Sequence, residues 1–169
     1  FIPGVAERLD VPAYPAPVPT APPDVTRRRP ATAPDGPTPL AWPLTGTRVL
    51  SSYGVPRGSR LHKGIDLDGD RGQPVYAAEA GVVLYAAATM RGYGKTVIVD
   101  HGEGLTTLYA HNSTLLVRVG DRVERGTTLA RVGRPGNASG HHCHFEVRRD
   151  DVPVDPMRYL SWDVASRTP

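Results

Sequence analysis

Apolar and polar positions in this chain follow no long helical period. They gather in short stretches separated by turn residues. Arg48–Tyr53, Ile65–Leu67, Pro74–Ala78, Gly81–Ala86, Lys95–Asp100, Leu105–Ala110, Thr127–Val132 and His142–Arg148 are rich in residues that suit a pleated strand. Val97-Ile98-Val99 is a fully apolar, β-branched strand, and Thr107-Leu108-Tyr109-Ala110 is a candidate to pair nearby. Glycines punctuate the series, among them Gly92, Gly94, Gly102, Gly104, Gly120, Gly126, Gly133 and Gly140. No window of a dozen residues holds a clean apolar 3.6-residue period. Many short strands at close spacing predict an all-β fold, with packed antiparallel sheets in one domain over residues 40–160.

Composition divides the chain. Twelve of the 18 prolines lie in residues 1–43. Proline lacks a backbone donor and favours extended conformations, so residues 1–39 are read as a proline-rich N-terminal tether and 161–169 as a C-terminal tail. The net charge is +3. The only basic run, Arg27-Arg28-Arg29, lies among prolines and reads as solvated linker, so no nucleic-acid partner is expected. The single cysteine, Cys143, excludes an intramolecular disulfide. No stretch approaches the 18 apolar residues of a transmembrane helix. The chain opens on Phe1, as a processed or truncated product would.

Chemistry concentrates at the histidines. His62 precedes Asp66 by four positions, His142 and His144 are two apart, and His111 lies between the clusters. On a strand, His142, His144 and Glu146 face one way, while Cys143 and Phe145 face the other. Cys143 is therefore read as a buried, inert thiol rather than a ligand. The two histidines either share one metal, or one binds while the other works on substrate. In a straight strand His62 and Asp66 would lie roughly 13 Å apart, so the chain must bend near Gly64 if they share an ion. Asp66-Leu67-Asp68-Gly69-Asp70 is not an EF-hand, because Arg71 and Ala77 stand where that loop needs glycine and glutamate. Imidazole and carboxylate donors favour zinc, and three protein ligands leave a fourth position for water. His101 and His141 are read as structural or surface residues.

His62-Lys63-Gly64-Ile65-Asp66, Gly72 to Ala78, Gly92-Tyr93-Gly94, Asp100-His101-Gly102, Leu108 to His111 and Gly140 to Glu146 together resemble the lysostaphin-type (LytM-like) zinc metallopeptidases. The resemblance is collinear over about residues 45–160. It implies one zinc ion on His62, Asp66 and His144, with His111 and His142 as catalytic histidines. It also implies hydrolysis of peptide bonds in the stems or cross-bridges of bacterial peptidoglycan, in the periplasm, at the envelope or outside the cell. Cys143 stands where leucine is usual in the family, and His141 where proline is common. A second function follows from the same resemblance: a catalytically silent relative that binds and activates cell-wall amidases, with an envelope protein as partner. Val119 to Gly126 also resembles the turn of a biotinyl or lipoyl carrier, but neither Lys63 nor Lys95 lies in the required hairpin tip.

Overall fold

The computed structural model describes residues 39–134 and 140–161. Most of the proline-rich segment, the Arg27–Arg29 run and nearly all of the C-terminal tail lie outside them. Among the described residues there are strands, turns and one 3-10 turn at Pro156–Arg158, with no α-helix. The all-β expectation is met.

The strands in chain order begin with β1 (Val49–Ser51), β2 (Pro56–Arg57), β3 (Arg60–Leu61) and β4 (Ile65–Asp68). Next come β5 (Pro74–Tyr76), β6 (Gly81–Ala87), β7 (Lys95–Asp100) and β8 (Leu105–Leu115). The series ends with β9 (Arg122–Val123), β10 (Thr128–Val132), β11 (His142–Arg149) and β12 (Val152–Val154). A main antiparallel sheet runs β1-β4-β11-β8-β7-β6-β9, with β10 joining the far end of β8 to β5. A separate hairpin, β2–β3, stands beside it. Each stretch predicted as a strand contains one. The missed strands β2, β3, β9 and β12 are only two or three residues long, too short to show a period.

Strand β11 is the spine. Its first half pairs with β4, placing His144 opposite Asp66, while its other edge pairs with β8, placing His144 opposite Ala110. Cys143, Phe145 and Val147 point into the core, joined by Ile65, Leu67, Val97, Val99 and Tyr109. Phe145 and Tyr109 pack ring against ring at 5.3 Å between centroids. The alternation puts His142, His144 and Glu146 on the opposite face, as the sequence predicts.

Two local irregularities shape that face. Gly64 turns the chain into β4 directly against β11. A Cβ there would sit inside Phe145's carbonyl oxygen and meet the Glu146 side chain at 2.9 Å, so only glycine fits. The second lies in β8, where Lys95 pairs with Asn112 but Val97 pairs with Tyr109. Two steps on β7 thus oppose three on β8, which is a β-bulge. His111 occupies it, with φ of +62°.

Candidate metal centre

The bend at Gly64 brings His62 back over β4, and the β4–β11 register sets Asp66 beside His144. His62 Nε2 lies 3.0 Å from His144 Nδ1 and 3.2 Å from Asp66 Oδ1, and His144 Nδ1 lies 2.9 Å from that same oxygen. All three residues are buried. Tetrahedral zinc with bonds of about 2.0–2.1 Å would separate its donors by roughly 3.3 Å, close to this spacing.

The far side of each ring is also occupied. His62 Nδ1 faces the Ser52 carbonyl at 2.8 Å, and His144 Nε2 faces Glu146 Oε1 at 2.9 Å. With protons on those outer nitrogens, the inner nitrogens present lone pairs toward each other and toward a carboxylate. Three acceptors facing one point need a cation between them, so the residues fit a zinc ion. Without one, a proton takes that place. Burial opposes charging His144, but its bonds to Asp66 and Glu146 raise its pKa. Burial likewise opposes ionisation of Asp66, yet the bonds from His144 and Arg57 hold it well below the usual carboxylate range. His62 is shifted down, chiefly by burial.

Glu146 has no solvent exposure and is fully engaged. Besides His144 it accepts from the Tyr93 hydroxyl at 2.8 Å and from Arg148 Nε and Nη2 at 2.8 and 2.7 Å. Burial works against its charge, and the bond to His144 and the Arg148 guanidinium keep it ionised. Tyr93 is pushed up to about 12, first by burial and then by the Glu146 charge, so its hydroxyl stays protonated and donates. The Tyr93 ring meets His144 edge-on at 5.6 Å.

His111 and His142 form the adjoining pair, with ring centroids 5.0 Å apart; His111 also lies 5.9 Å from His144. His142 Nε2 is 3.9 Å from Asp66 Oδ1, outside the tight trio. Burial, followed by the neighbouring histidines, lowers His111 to about 4. Burial also lowers His142. Both rings are neutral near pH 7 and free to accept a proton. The left-handed backbone of His111 is clamped at both ends. Its N–H donates to the Tyr93 carbonyl and its own carbonyl accepts from Gly133 N–H, each at 2.9 Å. A Cβ at Gly133 would meet Ser113 N at 2.6 Å and the His111 carbonyl oxygen at 2.7 Å.

All five residues singled out from the sequence therefore converge. Cys143 does not join them: burial pushes its thiol up to about 12, which suits an inert core residue. His101 bonds the Ala80 carbonyl and the Thr107 hydroxyl, both at 2.8 Å, in a structural role. Sequence reasoning missed Tyr93, Glu146, Arg148, Arg57 and Gly133 as supporting residues. Glu146 carried a readable signal, sharing a strand face with His144, and Tyr93 lay in the Gly92-Tyr93-Gly94 motif without its role being read.

Residues 60–156 match the model for peptidase family M23. The chain belongs to that family. This M23 chain is 47% identical over 120 residues to the lipoprotein NlpD/LppB homolog of Pseudomonas aeruginosa, covering 71% of this chain and 39% of that one. It is 40% identical over 119 residues to the murein hydrolase activator NlpD of Escherichia coli, covering 70% of this chain and 30% of the relative. The match thus spans well under half the length of either relative. Among solved structures, the antimicrobial peptidase lysostaphin from Staphylococcus simulans superposes with a TM-score of 0.67 at 26% identity, over 78% of this chain and 58% of lysostaphin. No helix among the described residues is long and apolar enough to cross a membrane.

Proposed function

We propose that this M23 chain is a zinc-dependent endopeptidase acting on peptide bonds of peptidoglycan stems or cross-bridges in the cell envelope. The observation that carries this reading is the complete set of His62, Asp66 and His144, buffered by Ser52 and Glu146, beside two neutral histidines. The ion, when bound, supplies Lewis-acid polarisation and lowers the pKa of water. The chain's own residues do the rest. Asp66 and Glu146 provide negative charge, while the Ser52 carbonyl and Glu146 fix the tautomers of His62 and His144. His111 and His142 are neutral, adjacent and able to take up a proton, then return it to a departing amine. As imidazolium, either ring would donate a hydrogen bond to oxyanion charge developing beside it. Residues 1–39 are proposed as a tether and 161–169 as a tail around the 40–160 domain.

The named relatives favour the second reading, in which this chain binds and activates a murein hydrolase rather than cutting the wall itself. One experiment separates the two. Purified peptidoglycan of several cross-link types is digested with the full chain, with and without a chelator, and the products are identified by mass spectrometry. Chelator-sensitive peptide release, with about one zinc per chain by elemental analysis, is the expected result. Absence of both zinc and product removes the peptidase reading, and stimulation of an added amidase then supports the activator.

A further inference from the structure

The cleft over the metal trio has a one-sided charge. It is open, of about 290 Å³, and four basic side chains line it: Arg57, Arg60, Lys63 and Arg91. Arg57 and Arg60 stand on the β2–β3 hairpin, Lys63 follows it, and Arg91 lies in the β6–β7 connection beside Tyr93. The cations thus come from two separate segments that share the cleft with His62, His111 and His144.

Arg57 is paired with Asp66, but nothing in the cleft neutralises the other three. Glu146, the only acid lining it, is consumed by His144, Tyr93 and Arg148. Asp66 is engaged by His62, His144 and Arg57. Arg60, Lys63 and Arg91 are exposed and have no hydrogen-bond or ion-pair partner among the described residues. The chain has 17 acids, yet none falls within residues 49–65 or 81–99, the two segments that carry these cations. An ordinary solvated face intersperses both signs. Here acids are withheld from both segments, and a bound dication adds to the same sign.

We infer that this cleft selects peptides bearing free carboxylates flanking the scissile amide, in preference to amidated or glycine-only bridges. The inference rests on the wall-peptide reading of the site. Arginine forks and a lysine ammonium form strong charge-assisted bonds with carboxylates. A neutral glycine bridge would leave Arg60, Lys63 and Arg91 unmatched. Exposed Leu61, between Arg60 and His62, adds an apolar contact suited to an aliphatic side chain rather than to a phosphate polymer.

Calorimetric titration of the full chain carrying His111→Ala tests this without turnover. Three probes are used: a stem tetrapeptide with free side-chain carboxylates, the same peptide with them amidated, and tetraglycine. The free carboxylate form is expected to bind on the order of tenfold more tightly than either. That preference is expected to shrink as salt rises, and to vanish in Arg60→Ala/Lys63→Ala/Arg91→Ala with zinc content unchanged. Equal affinities overturn the inference, as does a triple variant that keeps the preference. Inorganic polyphosphate or polyglutamate competing as well as the stem peptide also overturns it, by showing a general anion patch or a site for an acidic protein segment. Failure of the unmodified chain to release peptides, with the preference intact, removes the peptidase reading alone.

Discussion

The metal trio and the His111–His142 pair lie side by side but are held by different means. Asp66 and His144 are cross-strand partners in the regular β4–β11 ladder, so register alone brings them together. His111 sits outside any regular ladder, in a bulge, with a backbone conformation uncommon for a residue with a Cβ. The trio is placed by pairing, and His111 by local strain fixed through its two backbone bonds. Binding geometry can rest on the sheet's most regular part. A proton-transfer group that must point across the sheet needs an interruption to re-aim it.

The largest expected effect breaks the two groups apart. His144→Ala should weaken zinc binding by well over a hundredfold, whereas His111→Ala should retain the metal and lose 10²–10⁴ of any peptidase rate, as expected for a positioned proton-transfer group. Elemental analysis and digestion assays read both, and equal metal loss in the two variants would contradict the division. Glu146→Ala should weaken zinc by about 10–100-fold through loss of His144's partner, measured by chelator competition. If affinity is unchanged, Glu146 serves the fold alone.

Gly133→Ala sharpens the comparison from the other side. It should destabilise by about 1–3 kcal/mol through overpacking and lower turnover, while zinc affinity stays near that of the parent. In a His111→Ala background the same substitution should cost no further activity; an additive loss would show that Gly133 does not act through His111. The smallest effect concerns pH in the metal-free protein. His111 has a folded pKa of about 4 against an ordinary 6.5, so between these values the unfolded chain binds more protons. Its contribution is full above about pH 6.5 and lost as pH falls toward 4. His144, shifted up, works in the opposite sense and favours the folded state below its ordinary pKa. Denaturant unfolding at several pH values should therefore show a shallower acid decline in His111→Ala than in the parent.

Much of this arrangement was legible in the sequence. Alternation along His142–Arg148 separated Cys143 and Phe145 from the histidines, and the glycine-cut strands indicated an all-β domain. The resemblance to known metallopeptidases then divided the roles among the histidines. What pattern alone lacked was pairing. No local period states that Asp66 lies opposite His144, or that β8 leaves one sheet partner for another around His111. The bend near Gly64 that the His62–Asp66 spacing requires is present, and it brings His62 Nε2 within 3.2 Å of Asp66 Oδ1. Arg57 gave no signal, and Tyr93 only as part of the Gly92-Tyr93-Gly94 motif, because their roles arise from segments distant in the chain.

Gly64 has a consequence for how metal competence is inferred across related chains. It bears no donor atom, yet it sits between two ligands in sequence and leans on the strand that supplies the third. A side chain at this position would prise β4 from β11 and spread the donors while leaving every ligand in place. A survey that counted only histidines and aspartates would score such a chain as zinc-competent. Loss of the metal can therefore begin at a residue that never touches it, and a silent relative need not announce itself by a missing ligand.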